Sequence, residues 1–102
     1  MKFQDLLSGF IRLHVLHHAA RHEICGQWMM DELAHHGYRL SPGTMYPMLH
    51  AMEKKGYLVS HQDQEGKTRR RLYRITEQGR EGLGTAIVQM REFAGEAAGE
   101  DS

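Results

Sequence analysis

Apolar residues recur at intervals of three and four positions in four separate stretches, and this spacing predicts four helices. The helices cover about residues 3–20, 27–36, 41–55 and 77–96. Between the third and fourth helices the pattern changes to a β-hairpin, with strands at 57–62 and 69–75 and a polar loop at 63–68. The chain is therefore predicted to be mainly α-helical with one hairpin.

The third helix has the clearest start and the clearest amphipathic pattern. Ser41 stands before Pro42, and this pair favours a helix start: the Ser side chain can accept from an unpaired backbone N–H, and Pro at the first position loses no bond. Pro47 lies inside the helix, where it removes one backbone hydrogen bond and is expected to bend the axis. The stripe predicted to face the core consists of Met45, Met48, Leu49 and Met52.

The order helix, helix, turn, helix, hairpin is typical of a winged helix-turn-helix. Gly37 and Gly56 are placed to end the second and third helices. The third helix, about residues 41–55, then has the position of a recognition helix, and residues 57–75 have the position of a wing.

The charge distribution indicates a polyanionic partner, although the net charge of the 102-residue chain is zero. Residues 39–80 carry nine Lys or Arg against four Asp or Glu, a net charge of +5. Residues 81–102 carry one against five, a net charge of −4. Because the local field decides where phosphate binds, the basic middle of the chain is the candidate nucleic-acid surface.

Length and cysteine content place the chain in the class of small proteins of a reducing compartment. A chain of this size forms one domain with a small core, to which dimerisation would add buried surface. The single cysteine, Cys25, excludes an internal disulfide, and a small buried residue is favoured over a thiol nucleophile. The pattern contains no membrane span or signal peptide, so a cytoplasmic protein is expected.

The first and last helices carry more apolar surface than one core can cover, so a second subunit is a candidate partner. Thr76 is placed to cap the last helix, and glycines at 79, 82 and 84 weaken the first half of that helix. The predicted dimerisation residues are Phe3, Leu6, Leu7, Phe10, Leu83, Ile87, Met90 and Phe93.

Four segments together resemble the PadR family of bacterial transcriptional regulators: GFIRLHVLHHAA, CGQWMMDEL, HGYRLSPGTMYPMLHAMEKKGYL and RRRLYRITEQGREGL. The most specific part is PGTMYPML with EKKGYL behind it, and the single C-terminal helix resembles the small subgroup of the family. The resemblance implies a winged helix-turn-helix domain at 1–76 and a dimerisation helix at 77–96. It also implies a homodimer that binds near-palindromic operator DNA, usually as a repressor. The chain ends in GEDS, and residues 97–102 are predicted to be a disordered tail.

The predicted DNA-binding residues lie on the third helix and the wing. Thr44, Tyr46, Pro47 and His50 are expected nearest to bases or phosphates, and Ser41 near a phosphate. None can form the bidentate Arg–guanine contact, so apolar contacts, water and DNA shape are expected to carry specificity. The alternative for the charged hairpin is a solvated surface. The residues expected to contact phosphate are Arg39, Lys54, Lys67, Arg69, Arg70, Arg71 and Arg74.

Histidines form a second pattern. His14, His18 and His22 are four residues apart on the first helix, with His17 beside them and His35 and His36 in the next helix. Two histidines four residues apart on one helical face can share a divalent ion such as Zn²⁺. Ordinary surface histidines are the alternative. No cofactor is required, and a metal ion or small molecule is a candidate effector. Trp28 and Phe93 are predicted to be core residues or, alternatively, to line a small-molecule cavity between subunits.

Two other classes of function are considered besides DNA binding. A winged-helix protein–protein interaction module is the alternative, in which the third helix would dock a partner protein. An enzyme is disfavoured, because the sequence shows no carboxylate pair, nucleophile–base set or phosphate-binding loop.

Overall fold

A computed structural model describes residues 1–65 and 68–99 and confirms the predicted fold class. The elements in chain order are α1 (Gln4–Arg21), α2 (Gly26–His35), α3 (Pro42–Lys54), β1 (Leu58–Glu65), β2 (Thr68–Ile75) and α4 (Glu77–Ala97). Predicted and observed helix ends agree within a residue or two. Residues 100–102 of the predicted tail and Lys67 of the wing lie outside the described residues.

The core lies where α1, α2, α3 and the hairpin meet, and it follows the predicted apolar spacing. The four-residue stripe on α3 is buried, with Met45 and Leu49 completely inaccessible. Leu33 on α2 is equally inaccessible. The other large side chains that are almost completely inaccessible are Ile11, Val15, Ile24, Met29 and Leu58.

The hairpin is longer than predicted. β1 and β2 pair antiparallel from Leu58↔Ile75 to Glu65↔Thr68, so residues 63–65 belong to a strand and not to the predicted loop. Polar residues can extend a projecting hairpin because backbone pairing does not require apolar side chains. On the other edge of β2, Ile24 forms a bridge with Tyr73 through backbone N–O distances of 2.9 and 2.7 Å.

Three of the residues predicted to end or cap a helix are confirmed in that role, and one is not. Gly37 and Gly56 adopt positive φ angles of 88° and 89°, as helix-ending glycines do. The Thr76 hydroxyl accepts a bond from the Gly79 N–H at 3.0 Å. The predicted Ser41 side-chain cap is wrong, because its hydroxyl donates to Thr44 Oγ1 at 3.4 Å instead of accepting from the backbone.

Gly79 has a packing role that the sequence did not show. It is the buried residue of α4, and a Cβ at this position would lie 2.3 Å from the backbone oxygen of Tyr57 and 2.7 Å from Ile75 Cγ1. Both atoms belong to the base of the hairpin. The missing side chain therefore lets the start of α4 contact the wing directly.

We expect Gly79→Ala to lower the free energy of unfolding by roughly 1–3 kcal/mol, because the methyl group overlaps backbone atoms that cannot move freely. Gly82→Ala is the matched control in the same helix, since nothing lies within 4 Å of its Cβ position. That variant is expected to be more stable by up to about 1 kcal/mol. Urea denaturation at one protein concentration measures both, and equal shifts of the same sign would contradict this role of Gly79.

α4 leaves the rest of the molecule and is mostly exposed. The radius of gyration is 15.0 Å, whereas about 13 Å is typical of a compact chain of this length. From Ile87 to Ala97 every residue except Gly95 is exposed. The prediction that Trp28 and Phe93 are core residues is wrong for the single chain, because they are 38% and 65% exposed. No helix of the described residues is long and apolar enough to span a membrane.

Candidate nucleic-acid interface

α3 presents its predicted polar face to solvent. Tyr46, Pro47, His50 and Lys54 are exposed on this face, and Thr44 is partly exposed. This follows from the buried stripe on the opposite side, which fixes the rotation of the helix about its axis.

Few polar groups are available at the start of α3. Pro42 has no N–H, and the N–H groups of Thr44 and Met45 donate to Ser41 O at 3.0 and 2.9 Å. Within the described part of the chain, the Gly43 N–H is the first-turn donor left for an external acceptor such as a phosphate oxygen. The exposed Ser41 hydroxyl is beside it.

Tyr46 is positioned by Gly26, the first residue of α2. A Cβ on Gly26 would lie 2.4 Å from Tyr46 Cε1 and 2.7 Å from its Cζ, so the ring occupies the space of an absent side chain. Gly26 is buried, whereas Tyr46 remains 46% exposed. The ring therefore packs against the start of α2 while one side remains accessible.

Tyr46 and the basic hairpin face the same cleft. The cleft has a volume of about 600 Å³ and lies between the first half of α2, Tyr46 of α3 and the wing. Its wing side is lined by Gln62, Arg69, Arg70 and Arg71. Tyr46 of α3 and these wing arginines therefore line one cleft.

A hydrogen-bond network ties the wing to the end of α3. Glu53 accepts from the Ser60 hydroxyl at 2.7 Å and from the Ser60 N–H at 3.1 Å. Arg71 donates to Ser60 Oγ at 3.1 Å and to Gln62 Oε1 at 3.2 Å. This network fixes the orientation of the guanidinium relative to the helix.

The other basic residues of the predicted interface differ in their partners. Arg70 Nε lies 3.8 Å from Asp63 Oδ2, directly across the hairpin. A group of exposed cations forms no ion pair with the residues described here and can approach phosphate without breaking one: Arg39, Lys54, Arg69 and Arg74.

The structure brings together a different set of histidines from the predicted one. The ligand atoms of His14, His18 and His36 lie within 4.8 Å of one another. His22 is outside this group: its Nδ1 is 2.8 Å from Glu23 O, and its ring packs edge-on against Trp28. The predicted third residue, His22, is therefore replaced by His36.

A family model described as the transcriptional regulator PadR-like family matches residues 15–85. The chain is 48% identical to the transcriptional regulator Rv3488 of Mycobacterium tuberculosis over 99 residues, covering 97% of this chain and 92% of the relative. The chain belongs to the PadR-like family. It is therefore a transcriptional regulator and not an enzyme.

Solved structures of PadR regulators share the fold. A PadR family regulator from Eggerthella lenta superposes with a TM-score of 0.82 at 28% identity, covering 94% of this chain and 84% of that one. Bacillus subtilis PadR, solved in complex with operator DNA, superposes with a TM-score of 0.71 at 16% identity. That match covers 78% of this chain and 46% of the B. subtilis chain, and it shows the fold alone.

Three residues that shape these surfaces of the PadR-like chain were not identified from the sequence, and a fourth, His36, was not assigned to the metal site. Gly26, Glu53 and Ser60 act through contacts between elements, so spacing within one helix or strand could not identify them. His36 was noted among the neighbouring histidines of the second helix, but the predicted metal residues were His14, His18 and His22. The available signal was the pair Glu32 and His36, which lie four residues apart and face α1.

Proposed function

We propose that this PadR-like regulator is a homodimeric repressor that binds near-palindromic operator DNA through α3 and the wing. The observation that carries the proposal is the cleft shared by Tyr46 and the wing arginines. A surface with an exposed helix face on one side and guanidinium groups on the other suits a groove bordered by phosphates.

The interface divides into residues that read the operator and residues that hold it. Thr44, Tyr46, Pro47 and His50 lie on the face of α3 that would enter the major groove, where apolar contacts, water and DNA shape would supply specificity. The residues proposed to contact phosphate are Arg39, Ser41, Lys54, Arg69, Arg70, Arg71 and Arg74, together with Lys67, which lies outside the described residues. Binding should therefore be strongly salt-dependent.

The dimer is proposed to form through α1 and α4. Six of the eight residues predicted for this role are exposed in the single chain, whereas Leu7 and Leu83 are half-buried. A groove of about 230 Å³ runs between the two helices, and Phe10, Leu83, Ile87 and Met90 contribute to its lining. A second subunit would cover this apolar surface, which a helix as exposed as α4 needs for stability.

Two-fold symmetry gives the operator its expected form. Two recognition helices related by the dimer axis would enter successive major grooves about 34 Å apart, so the half-sites should be inverted repeats about one helical turn apart. The B. subtilis relative, solved with operator DNA, has the same fold. A dimer bound over a promoter blocks polymerase, and an effector that moves the two recognition helices relative to each other would relieve the block.

The test is recovery of DNA fragments from the source genome by the purified full-length chain, followed by sequencing. We expect an inverted repeat, bound with an affinity that falls steeply with salt. A reporter gene behind the recovered site should be expressed less when the regulator is present. Fragments without two-fold symmetry, or higher expression with the regulator, would contradict the dimeric repressor, and salt-independent binding would favour a protein-docking module.

A further inference from the structure

We propose that His14, His18 and His36, together with Glu32, form a site for a divalent transition-metal ion that joins α1 to α2. The three imidazoles have ligand atoms within 4.8 Å of one another. The Glu32 carboxylate lies among them, with Oε1 3.6 Å from His18 Nε2 and 3.4 Å from His36 Nε2.

These distances suit a four-coordinate ion. In a tetrahedral site with metal–ligand bonds of about 2.0–2.1 Å, neighbouring ligand atoms lie about 3.3 Å apart. The two Glu32–His distances already have nearly this length. The histidine nitrogens would have to approach each other by about 1.5 Å at most, which small rotations of the His14 and His36 rings can supply.

The donor set indicates which ions fit. Three imidazoles and one carboxylate are borderline ligands that favour Zn²⁺, Co²⁺ or Ni²⁺ over Mg²⁺ or Ca²⁺, which prefer oxygen ligands. No thiolate belongs to the cluster, so the soft ion Cu(I) is disfavoured.

Burial lowers the pKa of the two α1 histidines of the proposed site. Burial lowers the pKa of His14, and nearby His36 and His17 lower it further against an opposing effect of Glu32. Burial also lowers the pKa of His18, which Glu32 opposes. Both pKa shifts favour the neutral imidazole, which is the form that binds a metal ion.

Two neighbouring histidines lie outside the site and provide matched controls. His35 is 78% exposed, and its Nδ1 is 3.8 Å from the other carboxylate oxygen of Glu32. His22 is occupied by Glu23 O and Trp28, as described above. Each control removes one imidazole from the same region without removing a proposed ligand.

An ion at this site would connect the two functions proposed for the chain, so this consequence rests on the proposed function. His14 also lines the groove between α1 and α4, where the second subunit is proposed to bind. α2, which carries Glu32 and is followed by His36, begins at Gly26 beside Tyr46 of the recognition helix. Fixing α1 against α2 would therefore fix the recognition helix relative to the dimer axis, and the metal ion would change DNA affinity.

The binding test uses the metal-free full-length chain titrated with Zn²⁺ in a calorimeter and with Co²⁺ followed by visible absorption. We expect one ion per chain with a Kd below about 10 µM, and Co²⁺ bands of tetrahedral intensity. His36→Gln is the key variant, because this exposed residue follows the last turn of α2 and is not required for the fold. It should weaken binding at least about tenfold, as should Glu32→Gln, whereas His22→Gln and His35→Gln should bind as the unaltered chain does.

A wild-type Kd above about 10 µM would overturn the site, as would a loss in either control equal to that in His36→Gln. DNA affinity measured with and without Zn²⁺ tests the regulatory consequence separately. The unaltered chain should respond to Zn²⁺ by at least about fivefold, and His36→Gln should bind DNA equally well with or without the ion. Zn²⁺ binding without any DNA response would overturn the regulatory role alone. Absence of DNA binding in every form would overturn the proposed function and leave the calorimetric result standing.

Discussion

Phe93→Glu is expected to convert the proposed dimer to a monomer and to weaken operator binding by about 100-fold or more. Phe93 is 65% exposed in the single chain, so the substitution should leave the fold of one subunit intact. In the proposed dimer the ring would be buried, and burial of a phenylalanine contributes about 1.5–3 kcal/mol. Burial of the charged glutamate adds a further free-energy penalty to association. Because the proposed dimer is two-fold symmetric, the lost burial and the added penalty each occur twice.

The loss of DNA affinity follows from the loss of the second recognition helix. When one half-site is occupied, the partner subunit of a dimer binds its half-site at a high effective concentration, which typically adds a factor of 10²–10⁴. A monomer lacks this gain even though its own interface is unchanged. Its affinity for a single half-site should therefore be close to that of the unaltered chain, and this residual binding separates lost dimerisation from unfolding.

Val88→Glu is the matched control. Val88 is 63% exposed on the same helix but lies about 140° around the axis from Phe93, away from the Ile87 and Met90 stripe. This variant should remain a dimer and bind the operator within about twofold of the unaltered chain. Sedimentation velocity at micromolar concentration measures the mass of each form. Equal effects of the two substitutions, or an unaltered chain that is already monomeric, would contradict an interface on this face of α4.

The elements could be predicted because their signals are local. The stripe on α3 repeats with helical spacing, and Gly37 and Gly56 mark the helix ends by the positive φ angles they adopt. The length of the hairpin could not be predicted in the same way. Residues 63–65 are polar, a composition typical of a loop. Cross-strand pairs such as Asp63 with Arg70 nevertheless extend the ladder through backbone bonds.

The candidate site was predicted in part, for a related reason. Which face of α3 is exposed follows from its own pattern, so Tyr46 and His50 could be named from the sequence. Contacts between different helices and strands produce no regular spacing in the sequence. The bond from Ser60 to Glu53 joins the wing to the recognition helix, and His36 approaches His14 from a different helix. Such pairs can be identified once the packing of helices is known.

The double substitution Arg69→Gln and Arg70→Gln is expected to weaken DNA binding about 100-fold at 0.1 M salt, for operator and unrelated sequences alike. Each charge-assisted bond to phosphate contributes about 1.5–3 kcal/mol, and a phosphate contact carries no sequence information. The slope of log K against log salt should fall by about 1.8, because each neutralised phosphate contributes about 0.9. Electrophoretic or fluorescence titrations at several salt concentrations measure both quantities.

The control for this experiment removes the same kind of charge elsewhere. Arg91 is exposed on α4, far along the chain from the wing, and Arg91→Gln should leave the slope unchanged. Glutamine removes the charge and leaves a shorter polar side chain at all three positions, so the variants differ mainly in where the charge is lost. A similar fall in slope for Arg91→Gln would show a diffuse electrostatic effect. An unchanged slope for the double variant would show that the wing arginines do not contact phosphate, although they line the cleft beside Tyr46.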